Sequence, residues 1–195
     1  MTIEPSAPPG RQGRGFTLIE LAIVLAAVGL LLATLLPSFK AMAARGQLLA
    51  AAQQLQSDIG LAREQASRLA APVYLSFQPG AQWCYALSSS QELDCRDNAK
   101  IDATATATAT ATTATSPAVI KRVVAADFPG VLLMDAQAMA LDHRNGARLG
   151  TAGQARFASR TGQQLKVQLG QLGRASLCAP KDSIAGTPIC AALTP

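Results

Sequence analysis

One carboxylate, Glu20, stands inside an otherwise apolar run from Phe16 to Leu36. An ionisable group there costs about 2.5 to 3.5 kcal/mol to place in a bilayer and persists where it has a functional partner, so Glu20 is the first candidate functional residue. The parts of an enzyme are missing. His143, between Asp142 and Arg144, is the single histidine, and the chain has neither a G-x-S-x-G elbow nor a G-x-x-x-x-G-K-S phosphate loop. Asp142-His143-Arg144 before Asn145-Gly146 reads as an exposed turn. No enzymatic activity is expected, and any ATP-driven work falls to another protein.

Four cysteines, Cys84, Cys95, Cys178 and Cys190, form no C-x-x-C, and one histidine is too few for a common zinc pattern, so neither metal nor cofactor is expected. Three pairings are open in principle. Local pairing, Cys84 with Cys95 and Cys178 with Cys190, closes two short loops and stabilises each by about 2 to 3 kcal/mol in the chain-entropy account.

Basic side chains number 17 against 12 acidic. They gather late: from Asp142 onward, Arg144, Arg148, Arg156, Arg160, Lys166, Arg174 and Lys181 face only Asp142 and Asp182. If Arg156, Arg160, Lys166 and Arg174 share a face, they form a surface for weak, sequence-independent DNA binding through phosphates. Composition favours the blander reading, a solvated surface, and Phe157 alone is too little for base stacking.

The elements that must position these residues follow from the pattern. Residues 1–15, with Arg11, Arg14, Pro5, Pro8 and Pro9, form a polar leader. The run 16–36 spans about 30 Å as a helix, enough to cross a bilayer once. Pro37 removes one backbone donor and predicts a kink. Leu48, Ala52, Leu55, Ile59, Ala62, Ala66 and Leu69 then recur at spacings of four and three, a helix stripe packed along its length over 37–71, with Gln47, Gln54, Asp58, Gln65 and Arg68 on the opposite face. Glu64 and Arg68 stand one turn apart, and Ala71-Pro72 ends the helix.

Strand-like segments follow over 72–195: Val73–Phe77, Gln82–Leu87, Val119–Val124, Val131–Met134, Gln154–Ala158 and Leu165–Leu169, punctuated by Pro79-Gly80, Pro129-Gly130, Asn145-Gly146 and Thr161-Gly162. Alternation in the first and last of them predicts an antiparallel sheet with one face on the helix stripe. The alternating alanines and threonines of Ala103–Thr115 offer little to bury and read as an exposed loop. About 150 residues beyond the apolar run suffice for one core.

Gly15-Phe16-Thr17-Leu18-Ile19-Glu20 resembles the class III signal of type IV prepilins and pseudopilins. That resemblance implies cleavage by a prepilin peptidase and methyltransferase between Gly15 and Phe16, an N-methylated Phe16, and a Glu20 that pairs with the terminal amine of a neighbouring subunit. Two alternatives use the same hydropathy: an ordinary signal cut after Ala41-Met42-Ala43, before Ala44, and a plain membrane anchor. With Phe128-Pro129-Gly130, Phe157, Gly162 and the late Gly173-Arg174 segment, the chain is similar to minor pilins and pseudopilins of the GspH/FimT type. The family implies an α+β, pilin-like fold, its long N-terminal helix (a transmembrane half and an amphipathic half) packed on an antiparallel sheet. It also implies an inner-membrane subunit with a periplasmic domain, partnered by other pilin or pseudopilin subunits and helping to start or cap a type IV pilus or type II secretion pseudopilus. Some pilus members bind DNA through late arginines. Here Ser176 stands where a second arginine would strengthen that match.

Overall fold

The computed structural model describes residues 17–91, 93–96, 119–150, 153–180, 184 and 186–190, except the side chains of 34–38. The Gly15-Phe16 border, the Ala103–Thr115 loop and the side chain of Pro37 lie outside the described residues. The first helix, α1, covers Leu18–Leu69, and the chain divides into two compact units at Lys40/Ala41.

In the first unit the large apolar side chains of α1 have no cover. Leu18 is 88% exposed and Leu30 72%, with Ile19, Ile23, Leu25 and Leu31 similarly open. Among the described residues no helix is long and apolar enough to cross a membrane. The described part of the apolar run extends from Leu18 to Ala33.

The second unit holds the rest of α1 and all the strands. Leu48, Ala52, Leu55, Ile59, Ala62 and Ala66 are buried, while Leu69, the last residue of the expected stripe, is exposed. The helix ends at that point. Ala70 takes a left-handed conformation (φ 50°), and the Ala71 amide donates to the Ala66 carbonyl at 3.4 Å, the long closing bond of a Schellman cap, before Pro72 forbids continuation.

Among the described residues nine strands follow: β1 Val73–Gln78, β2 Cys84–Ser88, β3 Val119–Val124, β4 Val131–Ala136, β5 Met139–Leu141, β6 Arg148–Leu149, β7 Gly153–Ser159, β8 Gln164–Leu169 and β9 Ala175–Cys178. Six match the expected segments; β5, β6 and β9 are two to four residues long, too short for a period to show. The strands pair antiparallel, in two sheets where one was expected, in the orders β3-β2-β1-β5-β6 and β4-β7-β8-β9. The chain changes sheet through the 3-10 turn Ala125–Asp127 and returns to the first sheet at β5. One core joins Leu48, Leu55 and Ile59 of α1 to Leu75 and Leu87 of the first sheet and Leu133, Leu165 and Val167 of the second. Trp83 ties the sheets together: its Nε1 donates to the Val131 carbonyl at 2.9 Å, and its ring meets Phe157 edge-on at 5.4 Å.

The helix face opposite the stripe is not uniformly wet. Asp58, expected there, is 2% exposed. It lies three residues after Leu55 and four before Ala62, on the flank of the buried stripe, and the sheet supplies its partners. The Tyr85 hydroxyl donates to Oδ2 at 2.7 Å, Lys121 Nζ to Oδ1 at 2.6 Å, and Gln54 Nε2 to Oδ1 at 3.0 Å. A buried carboxylate is tolerable only when paired and hydrogen-bonded in this way. Burial, then the bond to Asp58 and its charge, push the Tyr85 phenol well above its ordinary value, so it remains a donor.

Candidate functional site

Glu20 occupies the third position of α1, behind Thr17, whose Oγ1 accepts a hydrogen bond from the Glu20 amide at 3.3 Å. Thr17-Leu18-Ile19-Glu20 is therefore a T-x-x-E helix start, with the threonine as N-cap and the glutamate at N3, where the helix dipole favours a negative charge. Local helix chemistry gives this carboxylate a second reason to exist besides a partner charge. Glu20 is exposed, and no cation pairs with it among the described residues.

The four basic residues of the DNA reading do not form one patch. Arg156 and Lys166 face each other across β7 and β8, and Arg156 Nη2 is engaged by Asp135 Oδ2 from β4. Arg160 follows β7, its side chain lying against Gly130. Arg174 precedes β9 at the other end of the sheet, about 20 Å from Arg160 along β8 at 3.3 Å per residue. Gly173 has a structural explanation: at φ 71° it packs so closely on the Gly146 carbonyl oxygen that a Cβ would overlap it. The Gly170–Gly173 turn is thereby seated on the Asp142–Gly146 turn, where the half-buried His143 rests its Nδ1 3.3 Å from Asp142 Oδ1.

Both short-range cysteine pairs are bonded, Cys84 to Cys95 and Cys178 to Cys190, across sequence separations of 11 and 12. The second bridge closes a loop whose ends meet in a parallel bridge between Ala179 and Ile189, in which the Cys190 amide donates to the Ala179 carbonyl and the Ala179 amide to the Pro188 carbonyl.

Comparison with known families gives two matches. Residues 51–173 match the type II transport protein GspH, and residues 10–36 match the prokaryotic N-terminal methylation motif. The first extends from the buried part of α1 through the first sheet and all of the second but β9, and covers more than half of the chain. This chain belongs to the GspH family. No curated protein and no solved structure matches it.

As a GspH/FimT-like pilin with a prepilin-type signal, it falls among the minor subunits of type II secretion and type IV pilus filaments, which are structural proteins. The methylation motif takes in Gly15, Phe16 and Glu20. The GspH match ends at Gly173, so Arg174 and the second disulfide lie beyond it. Sequence reasoning missed two features of the matched region. One is the Asp58–Tyr85–Lys121 cluster, signalled in sequence only by an acidic residue at a stripe-flanking position. The other is a cleft beside Trp83, assembled from distant segments.

Proposed function

We propose that this chain is a minor subunit that helps to start or cap a type IV filament, with residues 1–15 removed, Phe16 methylated and the run 16–36 seated in the inner membrane. The domain from Ala41 onward then lies on the periplasmic side, where both disulfides can form and persist. The observation that carries the reading is the contrast along α1 in a chain bearing both family matches. Leu48 to Ala66 are buried by the chain's own sheets, whereas Leu18 to Leu32 are bare. Bare apolar side chains on this scale call for lipid before assembly and neighbouring helices after it. In this reading Glu20, at the head of that bare stretch, meets the methylated amine of a neighbouring subunit. The family description favours a type II secretion pseudopilus as the first machine to test, ahead of a type IV pilus.

The test is intact mass and N-terminal sequencing of chain extracted from membranes. A start at Phe16 carrying one methyl group supports the reading. A start at Met1 or at Ala44 refutes it.

A further inference from the structure

A cleft of about 740 Å³ opens between the two sheets, beside the C-terminal end of β3 and the start of β4. Its apolar wall includes Val124, Val131 and Leu132, and its charged lining is three guanidinium groups, Arg96, Arg122 and Arg160. Among the described residues no aspartate or glutamate lines it. Among the described residues none of the three arginines forms an ion pair, in contrast to Arg156, which Asp135 neutralises, and Arg68, which Glu64 holds at 2.7 Å. Arg122 Nε is buried and has no hydrogen-bond partner. The Cys84–Cys95 bridge fixes the place of Arg96, the next residue along, with Cys84 itself lining the cleft.

Three planar guanidiniums around one cavity, free of ion pairs among the described residues, are a receptor for oxyanions, which they bind in bidentate fashion. The apolar wall distinguishes among oxyanions. A phosphodiester backbone offers it nothing, and Trp83, the aromatic on which a base could stack, is 1% exposed with its ring packed among Tyr85, Phe128 and Phe157. A peptide carrying carboxylates between apolar side chains suits both surfaces. Of the strands beside the cleft, β3 stands at the open end of its sheet, whereas the outward carbonyls of β4 at Val131 and Leu133 are taken by Trp83 Nε1 and the Gly80 amide. The edge of β3 offers main-chain donors and acceptors to an extended segment. We infer that this cleft is a docking site for an acidic, extended peptide segment of a partner protein, with Arg96, Arg122 and Arg160 holding its carboxylates. The inference does not rest on the filament reading, because binding is measured on the isolated chain.

The full chain in nonionic detergent micelles is titrated into a fluorescent short peptide of alternating glutamate and valine. The control peptide carries glutamine for glutamate. Saturable binding is expected for the first and binding weaker by roughly tenfold or more for the second. Arg122→Gln, and separately the double change Arg96→Gln with Arg160→Gln, should weaken binding by a similar factor, while Arg156→Gln outside the cleft leaves it unchanged. Arg96 and Arg160 are exposed, so the double variant decides the matter if Arg122→Gln disturbs the fold. Absence of saturable binding, or equal loss from Arg156→Gln, overturns the inference. Displacement of the peptide by a short DNA duplex whose own binding falls with the cleft variants also overturns it, in favour of a phosphate-binding surface.

Discussion

The Tyr85 hydroxyl donates to Asp58 Oδ2 at 2.7 Å, joining β2 to the middle of α1 where both residues are shielded from water. Lys121, from the neighbouring β3, closes on the other carboxylate oxygen at 2.6 Å and keeps about a third of its own side chain in solvent. Three elements far apart in sequence are thereby held in one register. Apolar contacts alone would allow the helix to slide or rotate on the sheet; a single buried acceptor with directional donors does not.

Removing the acceptor should be costly. Asp58→Ala leaves the Tyr85 hydroxyl buried without a partner and Lys121 partly buried without its counter-charge, so a loss of about 2 to 4 kcal/mol is expected. Tyr85→Phe should cost about 1 to 2 kcal/mol, because Oδ2 loses the Tyr85 donor while Lys121 and Gln54 still hold Oδ1. Urea unfolding of the two single variants and the double variant checks this: the double loss should be smaller than the sum.

The same pair sets a dependence on pH. The folded chain holds the Tyr85 proton far above the ordinary phenol value, while the unfolded chain releases it near pH 10. The raised folded value means that this contribution is complete below about pH 10 and declines by about 1.4 kcal/mol per pH unit above it. Tyr85→Phe lacks this component. Unfolding free energies measured on either side of pH 10 should therefore fall less steeply in the variant than in the parent chain.

Ala70 carries a left-handed φ of 50° at the end of α1, a position that glycine fills without steric cost. Ala70→Gly is expected to stabilise the chain by about 0.5 to 1 kcal/mol, read as a higher urea midpoint at unchanged slope.

Each disulfide closes a loop of similar length, so replacing either pair by serines should cost about 2 to 3 kcal/mol. Non-reducing peptide mapping of periplasmic material should recover Cys84 with Cys95 and Cys178 with Cys190, and free thiols at all four would argue against the compartment. Loss of the first bridge should in addition loosen Arg96 and weaken the cleft for acidic peptides.

What could be read from the sequence divides by range. The stripe from Leu48 to Ala66 and the alternation of Val73, Leu75 and Phe77 are local periodicities, and the structure buries Leu48, Ala66, Val73 and Leu75 accordingly. The cysteine pairs were legible because short loops close cheaply. Asp58 was misread because its burial depends on Tyr85 and Lys121, residues 27 and 63 positions away. The second sheet was missed for a related reason: the pattern of β4, β7 and β8 fixes which face is buried and says nothing of which strands share hydrogen bonds. Arg96, Arg122 and Arg160 look unrelated in sequence, and the change of sheet after β3 brings them to one cleft.

Glu20 bears the central claim, and two explanations for it make different demands. As a helix cap behind Thr17 it needs a polar side chain at N3; as an assembly group it needs a charge. Glu20→Gln separates them, since glutamine also serves in a capping box and carries no charge, while Glu20→Ala should ease membrane insertion by about 2.5 kcal/mol or more. The decisive measurement is the amount of chain recovered in sheared filaments, relative to the membrane fraction, for the parent, Glu20→Gln and Glu20→Ala. The account predicts parent chain in the filaments and a comparable depletion of both variants, with all three present in the membrane. Parent chain absent from filaments, or Glu20→Gln incorporated as well as the parent, would contradict it.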